Sequence, residues 1–280
     1  MTDLARFDAL GPHGEGRSFV FRRPEGVVLA RTLAEVVPAL QAVEAAVGRG
    51  LHVAGFVAYE AAPAFEPALA VRAPSGRLPL LRFGLFRERV EGQPPSIEEA
   101  AGAFSLGAFA PSVTEERFGE AVRRIRNWIA AGDTYQVNYT FRLRAAFEGD
   151  DAALYARLTL AQRAAYCAHL RFDDLSILSL SPELFFRWQD GALELRPMKG
   201  TRPRGRWTAE DDALAAELLS SPKDRAENVM IVDLLRSDAG RLAVPGSVSV
   251  PQLFAVERYE TVHQMTSTVR ARTPAGTRLG

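Results

Sequence analysis

Between residues 166 and 197 the sequence places three strand-like runs close together, at 166–172, 175–180 and 192–197. The first two have almost no chain between them. Parallel neighbours need a crossover of a dozen or more residues, so runs this close pair as antiparallel neighbours. Elsewhere strand-like stretches such as "LHVAGFVAYE" and "LPLLRFGLFRERV" mix with helical ones without a regular βαβ rhythm. The expected class is therefore α+β, with large, mostly antiparallel sheets and helices packed outside them.

Residues 19–30 suggest a hairpin, and "LAEVVPALQAVEAAVGRG" a helix ended by glycine. A looser segment over 91–112, rich in Gly, Ala, Pro and Ser, divides the chain into a β-rich part at 1–112 and a second part at 113–280 of the same fold. In the second part Ser112 and Glu115 have capping-box spacing. Phe118, Val122, Ile125, Trp128 and Ile129 then recur at helical spacing up to Gly132. In "DTYQVNYTFRLR" Tyr135, Val137, Tyr139, Phe141 and Leu143 alternate with Gln136, Asn138, Thr140 and Arg142, which predicts a half-buried strand over 133–144. A helix over 151–164 follows, and the stretch after Trp207 reads as two helices broken near Ser221-Pro222. Strands near 246–250 and 253–258 precede "ETVHQMTSTVRA".

Composition excludes several classes of partner. The 280 residues carry 34 basic and 34 acidic side chains, a balance that argues against nucleic acid or an anionic membrane as the main partner. An acidic small molecule stays possible, because a site needs only local positive charge. The single cysteine, Cys167, excludes an intramolecular disulfide and suits a reducing cytoplasm. No apolar run approaches the ~18 residues of a membrane span, and the first residues lack a signal-peptide core.

Phosphate-binding glycine loops, a G-x-S-x-G elbow and an H-E-x-x-H pair are all absent. What remains is a set of polar residues at element ends. Glu183 in "SPELFFRW" has apolar neighbours, and such a carboxyl can be raised toward neutrality and serve as a general acid. Lys199 in "RPMKGTRPRG" follows the 192–197 run, close enough in sequence for the two to sit on adjacent antiparallel strands. A lysine in its neutral form is a nucleophile, and Arg202 and Arg204 are read as the positive field that favours that form. Asp224 and Glu227 share a helix face and could hold Mg²⁺ or simply pair with Lys223 and Arg225. His263 reads equally as a proton shuttle or as a hydrogen-bonded core histidine. From these residues alone, solvent-exposed side chains are the commoner meaning of Glu183 and Lys199.

Five stretches change that balance when taken together: "GDTYQVNYT", "SPELFF", "PMKGTRPRG", "SPKDRAENVMIVDLLRSDAGR" and "ERYETVHQMTSTV". In this order, over roughly residues 115–272, they resemble the chorismate-utilising enzymes, which include the anthranilate, aminodeoxychorismate, isochorismate and salicylate synthases. The resemblance implies an anthranilate synthase component I-like fold with its chorismate-binding region at 113–280. It also implies that the water-using branches carry a lysine where this chain has Gln136, which points to ammonia as the nucleophile. Anthranilate synthases usually carry alanine where this chain has Lys199, so the branch of closest likeness is aminodeoxychorismate synthase component I.

The chemistry so implied has Lys199 attack ring carbon 2 of chorismate while Glu183 protonates the departing 4-hydroxyl. Ammonia from a glutamine amidotransferase subunit then attacks carbon 4 and expels the lysine. Mg²⁺ is held by Glu227, with Asp224 beside it, and Gly200, Thr201, His263 and Gln136 contact the substrate. The alternatives are an anthranilate synthase component I and a non-catalytic remnant that serves as a binding scaffold. Asn228 and Ser237 stand where the family commonly has histidine and asparagine, and the short N-terminal part makes an allosteric tryptophan site unexpected. The family pattern continues beyond the last motif into a segment with a further Mg²⁺ glutamate, so the site in these 280 residues is expected to be incomplete.

Overall fold

The computed structural model describes residues 3–11, 16–73, 76–172 and 175–279. The first elements are β1 (Leu4–Asp8), β2 (Ser18–Arg22), β3 (Gly26–Ala30), α1 (Leu33–Gly48), β4 (His52–Val57), a 3₁₀ turn at Tyr59–Ala64, β5 (Leu81–Phe86) and β6 (Val90–Gly92). Next come α2 (Ile97–Ala100), β7 (Phe104–Leu106), β8 (Ala110–Pro111), α3 (Glu115–Ala131), β9 (Leu143–Arg144), β10 (Phe147–Gly149) and α4 (Asp151–Gln162). The chain continues through β11 (Tyr166–Phe172), β12 (Leu175–Ser181), β13 (Leu184–Gln189), β14 (Ala192–Arg196) and β15 (Met198–Pro203). Last are α5 (Thr208–Ser220), α6 (Pro222–Leu242), β16 (Ser249–Arg258) and β17 (Val262–Arg272).

Every strand pairing among the described residues is antiparallel, in keeping with the α+β reading. One sheet runs β12-β11-β1-β2-β6 and a second runs β3-β5-β4. Ala5, Phe21, Leu170 and Phe172 of the first meet Ala54 and Phe86 of the second in a shared apolar core. On the other face of the second sheet α1 buries Val36 and Ala39 against Ala30, Leu80 and Leu81. On the first sheet α4 sets Tyr155 against Cys167. The third sheet, β13-β14-β17-β15 with β16 added on β17, carries α5 and α6 on one face.

Three sequence expectations are corrected. Residues 19–30 are not a hairpin, because β2 pairs with β1 and β6 while β3 pairs with β5. The chain changes sheets at Arg23, in a left-handed turn (φ 55°), so the two strands join sheets that pack face to face. The cap of α3 is Thr114, whose Oγ1 accepts from the Arg117 N–H at 3.3 Å; Ser112 Oγ accepts from the Arg142 N–H instead. The strand over 133–144 is reduced to Leu143–Arg144 against Ala110–Pro111. Alternation gives a two-faced segment, but a strand also needs a neighbouring backbone to pair with, and 134–141 has none among the described residues. Tyr135 is accordingly 85% exposed, and α3 buries no residue.

At the helix break the reading and the structure agree. Pro222 opens α6 and the Ser221 hydroxyl accepts from the Asp224 N–H, which places the helix break at the expected dipeptide. The two strands expected over 246–258 are one bulged strand, β16, with Phe254 left-handed at φ 59°.

Candidate active site

β15 pairs with β17 as Met198↔Thr266, then as Thr201↔Gln264. One extra residue therefore sits on β15 between these pairs, a β-bulge at Lys199-Gly200. Gly200 has φ +101°, and a Cβ there would stand 3.1 Å from both Asp224 Cβ and Leu218 Cδ1 and 3.3 Å from Met265 Cβ. Only glycine accepts both that dihedral and the closeness of the helices. The helix layer thus covers β15 on the side of Gly200, and Thr201, paired with Gln264, projects from the other.

Lys199 Nζ donates to Asn138 Oδ1 at 3.2 Å, and Gln136 Nε2 reaches the same oxygen at 3.3 Å. Gln136 Oε1 is buried with no partner among the described residues. Thr201 Oγ1 donates to Gln264 Oε1 at 2.9 Å. Glu183 lies in the turn between β12 and β13, and the Met198 N–H donates to its Oε1 at 3.3 Å. The carboxylate is thereby brought to the residue next to Lys199. Although Glu183 is an exposed residue, the protein atoms around its carboxyl hold it above the ordinary glutamate range; the Met198 N–H and the Lys199 charge pull the other way without cancelling the rise. Glu183 also borders a cleft of about 660 Å³ between the first sheet and β13, lined by Phe7, Phe19, Cys167 and Phe185.

The arginines that follow Lys199 point the other way, into the helix layer. Arg202 is clamped by Glu217 (2.8 Å) and Asp224 (3.0 Å). Arg204 forks onto Asp211 at 2.7 and 3.0 Å and donates to the Tyr259 carbonyl at 2.6 Å, and Arg206 pairs with Glu210. Each guanidinium faces a carboxylate, so Arg202 and Arg204 are not the uncompensated positive field that the sequence suggested. They anchor β15 to α5 and α6.

His263 is fully buried and its Nε2 stands 2.9 Å from Asp211 Oδ1, on the helix side, whereas the next residue, Gln264, faces Thr201; its Nδ1 has no partner among the described residues. Asp211 also accepts from Arg204 and the Gly205 N–H, and these bonds, with that from His263, hold its carboxyl far below the usual range. Asp224 is likewise committed. Burial works to raise its carboxyl, but the Ser221 and Arg202 hydrogen bonds and the Arg202 charge hold it below the ordinary value. Glu227 is half-exposed with Lys223 Nζ 3.8 Å away. Among the described residues no group of three or more His, Cys, Asp and Glu side chains is arranged to hold a metal ion.

The structure therefore brings Glu183 to the residue next to Lys199 and the Lys199 amine to the Gln136–Asn138 pair, turns Thr201 toward Gln264, sends Asp224 and His263 into the helix layer, and uses Gly200 for its backbone. Sequence reasoning passed over Asn138, Gln264, Asn228 and Asp211. The alternation of "YQVNY" already put Asn138 on the face of Gln136; Gln264 is visible only once the register of β15 on β17 is known.

The family model for chorismate binding enzymes matches residues 12–280. The chain belongs to this family. Aminodeoxychorismate synthase component 1 of Salmonella typhimurium is 48% identical over 167 residues, which is 60% of this chain and 37% of that protein. Anthranilate synthase component 1 of Aquifex aeolicus is 41% identical over 156 residues, 56% of this chain and 32% of that protein. The matched segment thus spans roughly a third of each of these relatives, 37% of one and 32% of the other. The crystal structure of anthranilate synthase component I from Streptococcus pneumoniae superposes with a TM-score of 0.77 at 21% identity, covering 97% of this chain and 70% of that one, a likeness of fold.

Proposed function

We propose that the chain acts as aminodeoxychorismate synthase component I, converting chorismate and ammonia to 4-amino-4-deoxychorismate, the precursor of the p-aminobenzoate in folate. The observation that carries this is Lys199, held at a bulge beside a glutamate whose carboxyl is raised. The matched relatives of that name, 40–48% identical over their aligned segments, support it. In this reading neutral Lys199 forms a bond to ring carbon 2 as the 4-hydroxyl leaves, protonated by Glu183, as water. Ammonia then bonds to carbon 4, the lysine bond breaks, and Lys199 regains its lone pair. A carboxyl raised by its surroundings keeps more of its protonated form near neutral pH, which a general acid requires. Two displacements replace one difficult substitution.

Gln136 and Asn138 line the lysine side with amides, and neither is a base that would activate water. Gln136 Oε1, unpartnered in its buried position, is an acceptor ready for a substrate hydroxyl or an amine. Thr201, oriented by Gln264, is assigned to substrate contact.

Mg²⁺ belongs to this proposal as a partial fit. Glu227 would hold it as a single carboxylate, with water and substrate oxygens completing the shell, while Asp224 is occupied by Arg202. Such an ion supplies orientation and charge neutralisation for a substrate carboxylate. The name component 1 carried by the relatives supports a second component, here a glutamine amidotransferase delivering ammonia. No helix among the described residues is long and apolar enough to cross a membrane, and Cys167 is a free, buried thiol.

The test is product analysis with chorismate and ammonium salts, comparing wild type with Lys199→Ala. Wild type is expected to form aminodeoxychorismate and the variant to lose most of that rate. Anthranilate as the wild-type product would favour the second reading, and chorismate binding without turnover in either protein would favour a scaffold.

A further inference from the structure

Asn228 lies on α6 directly after Glu227 and is fully buried. Its Nδ2 donates to the Lys199 carbonyl and the Met265 carbonyl, both at 3.3 Å, and its Oδ1 accepts from Ser267 Oγ at 2.6 Å. The Phe254 N–H donates to that same Ser267 oxygen at 3.2 Å, so the hydroxyl proton is free to point at Asn228. Two carbonyls on one side and a hydroxyl on the other leave the amide one orientation.

The Lys199 carbonyl belongs to the stretch at which the β15–β17 register shifts. A carbonyl in a buried place must find a donor. Asn228 is that donor, and it is carried by the helix whose preceding residue is Glu227. We infer that Asn228 is a positioning residue for Lys199, fixing the bulged peptide and through it the direction in which the amine projects. This rests on the reading of Lys199 as the nucleophile. A residue that only tied α6 to the sheet would serve equally well through Met265 and Ser267. The bond to the lysine's own peptide is what the inference turns on.

The chain offers a direct readout, because Lys199 and Lys223 are its only lysines. Reductive methylation with ¹³C-formaldehyde gives two lysine side-chain signals, and Lys223, whose side chain is 82% exposed, is the internal reference. Asn228→Leu is expected to move the Lys199 signal toward that of Lys223 and to leave Lys223 in place. Misplacement by about 1 Å can cost on the order of 100-fold in rate, so in unmethylated protein kcat should fall roughly tenfold or more while KM changes less. Ser267→Ala, which loosens the same helix-to-strand tie without touching the Lys199 peptide, is expected to lower stability and leave the lysine signal where it is. An unmoved Lys199 signal in Asn228→Leu, or an equal movement in Ser267→Ala, overturns the inference. If Asn228→Leu does not fold, Asn228→Asp takes its place, since it keeps the shape and the Ser267 bond but turns an acceptor toward the Lys199 carbonyl. The lysine signal reports positioning whether or not Lys199 is the nucleophile, whereas full turnover by Lys199→Ala would remove the nucleophile reading alone.

Discussion

Gly200→Ala tests the bulge on which the site is built. Gly200 holds φ +101°, and an alanine Cβ would meet Asp224 Cβ and Leu218 Cδ1 at 3.1 Å and Met265 Cβ at 3.3 Å. A non-glycine residue held in a sparsely populated backbone region costs about 1–3 kcal/mol. Overpacking a tight site costs about 1–3 kcal/mol more, toward the lower end here because the Leu218 tip can yield and Asp224 Cβ cannot. Alanine also restricts the unfolded chain, which offsets about 0.4–1 kcal/mol. The net expectation is a loss of about 2–4 kcal/mol. With a urea slope of about 3 kcal/mol per molar, the unfolding midpoint should fall by roughly 1 M. Gly132→Ala is the control, since Gly132 has φ +82° with nothing within 4 Å of an added Cβ. It should show the backbone cost without the packing cost. A Gly200→Ala variant within about 0.5 kcal/mol of wild type, the range of ordinary surface changes, would refute the claim that the bulge requires glycine.

Three further substitutions follow from the same geometry. Glu183→Gln should lower kcat by about 10²–10⁴-fold with little change in KM, as expected for loss of a general acid, and wild-type activity should fall on the alkaline side as the raised Glu183 carboxyl ionises; a variant within tenfold of wild type would contradict the assignment. Asp211 has a depressed carboxyl, so its contribution is present above the ordinary carboxylate range and is lost as pH falls; Asp211→Asn should therefore lower Tm at neutral pH and flatten its decline between about pH 4 and pH 2, and parallel Tm profiles would count against the Arg204–Asp211–His263 anchor. Gln264→Ala removes the partner of Thr201 and should raise KM for chorismate more than it lowers kcat, whereas unchanged steady-state constants would take Gln264 off the substrate face.

The antiparallel class, the long helices, the break at Ser221-Pro222, the strand 166–172 and the strand within "ETVHQMTSTVRA" were legible locally, because period, capping and turn chemistry act within a few residues. Residues 133–144 failed because alternation says which face is apolar and nothing about whether a neighbouring strand exists. The site divides along the same line. Lys199, Glu183 and Gln136 were legible from their motifs, but His263 and Gln264 are adjacent, and only the register of β17 on β15 decides which of them faces Thr201. The three arginines read as a basic patch until the carboxylates of α5 and α6, up to 22 positions away in sequence, were seen to clamp them.

The central claim is that Lys199 forms a bond to the substrate. Incubating the chain with chorismate and no ammonia, then mapping peptides by mass spectrometry, tests it with one comparison, since Lys199 and Lys223 are the only lysines present. The account predicts a chorismate-derived mass on the peptide that contains Lys199 and none on the peptide that contains Lys223. An unmodified Lys199 under conditions in which the protein turns chorismate over with ammonia would contradict it.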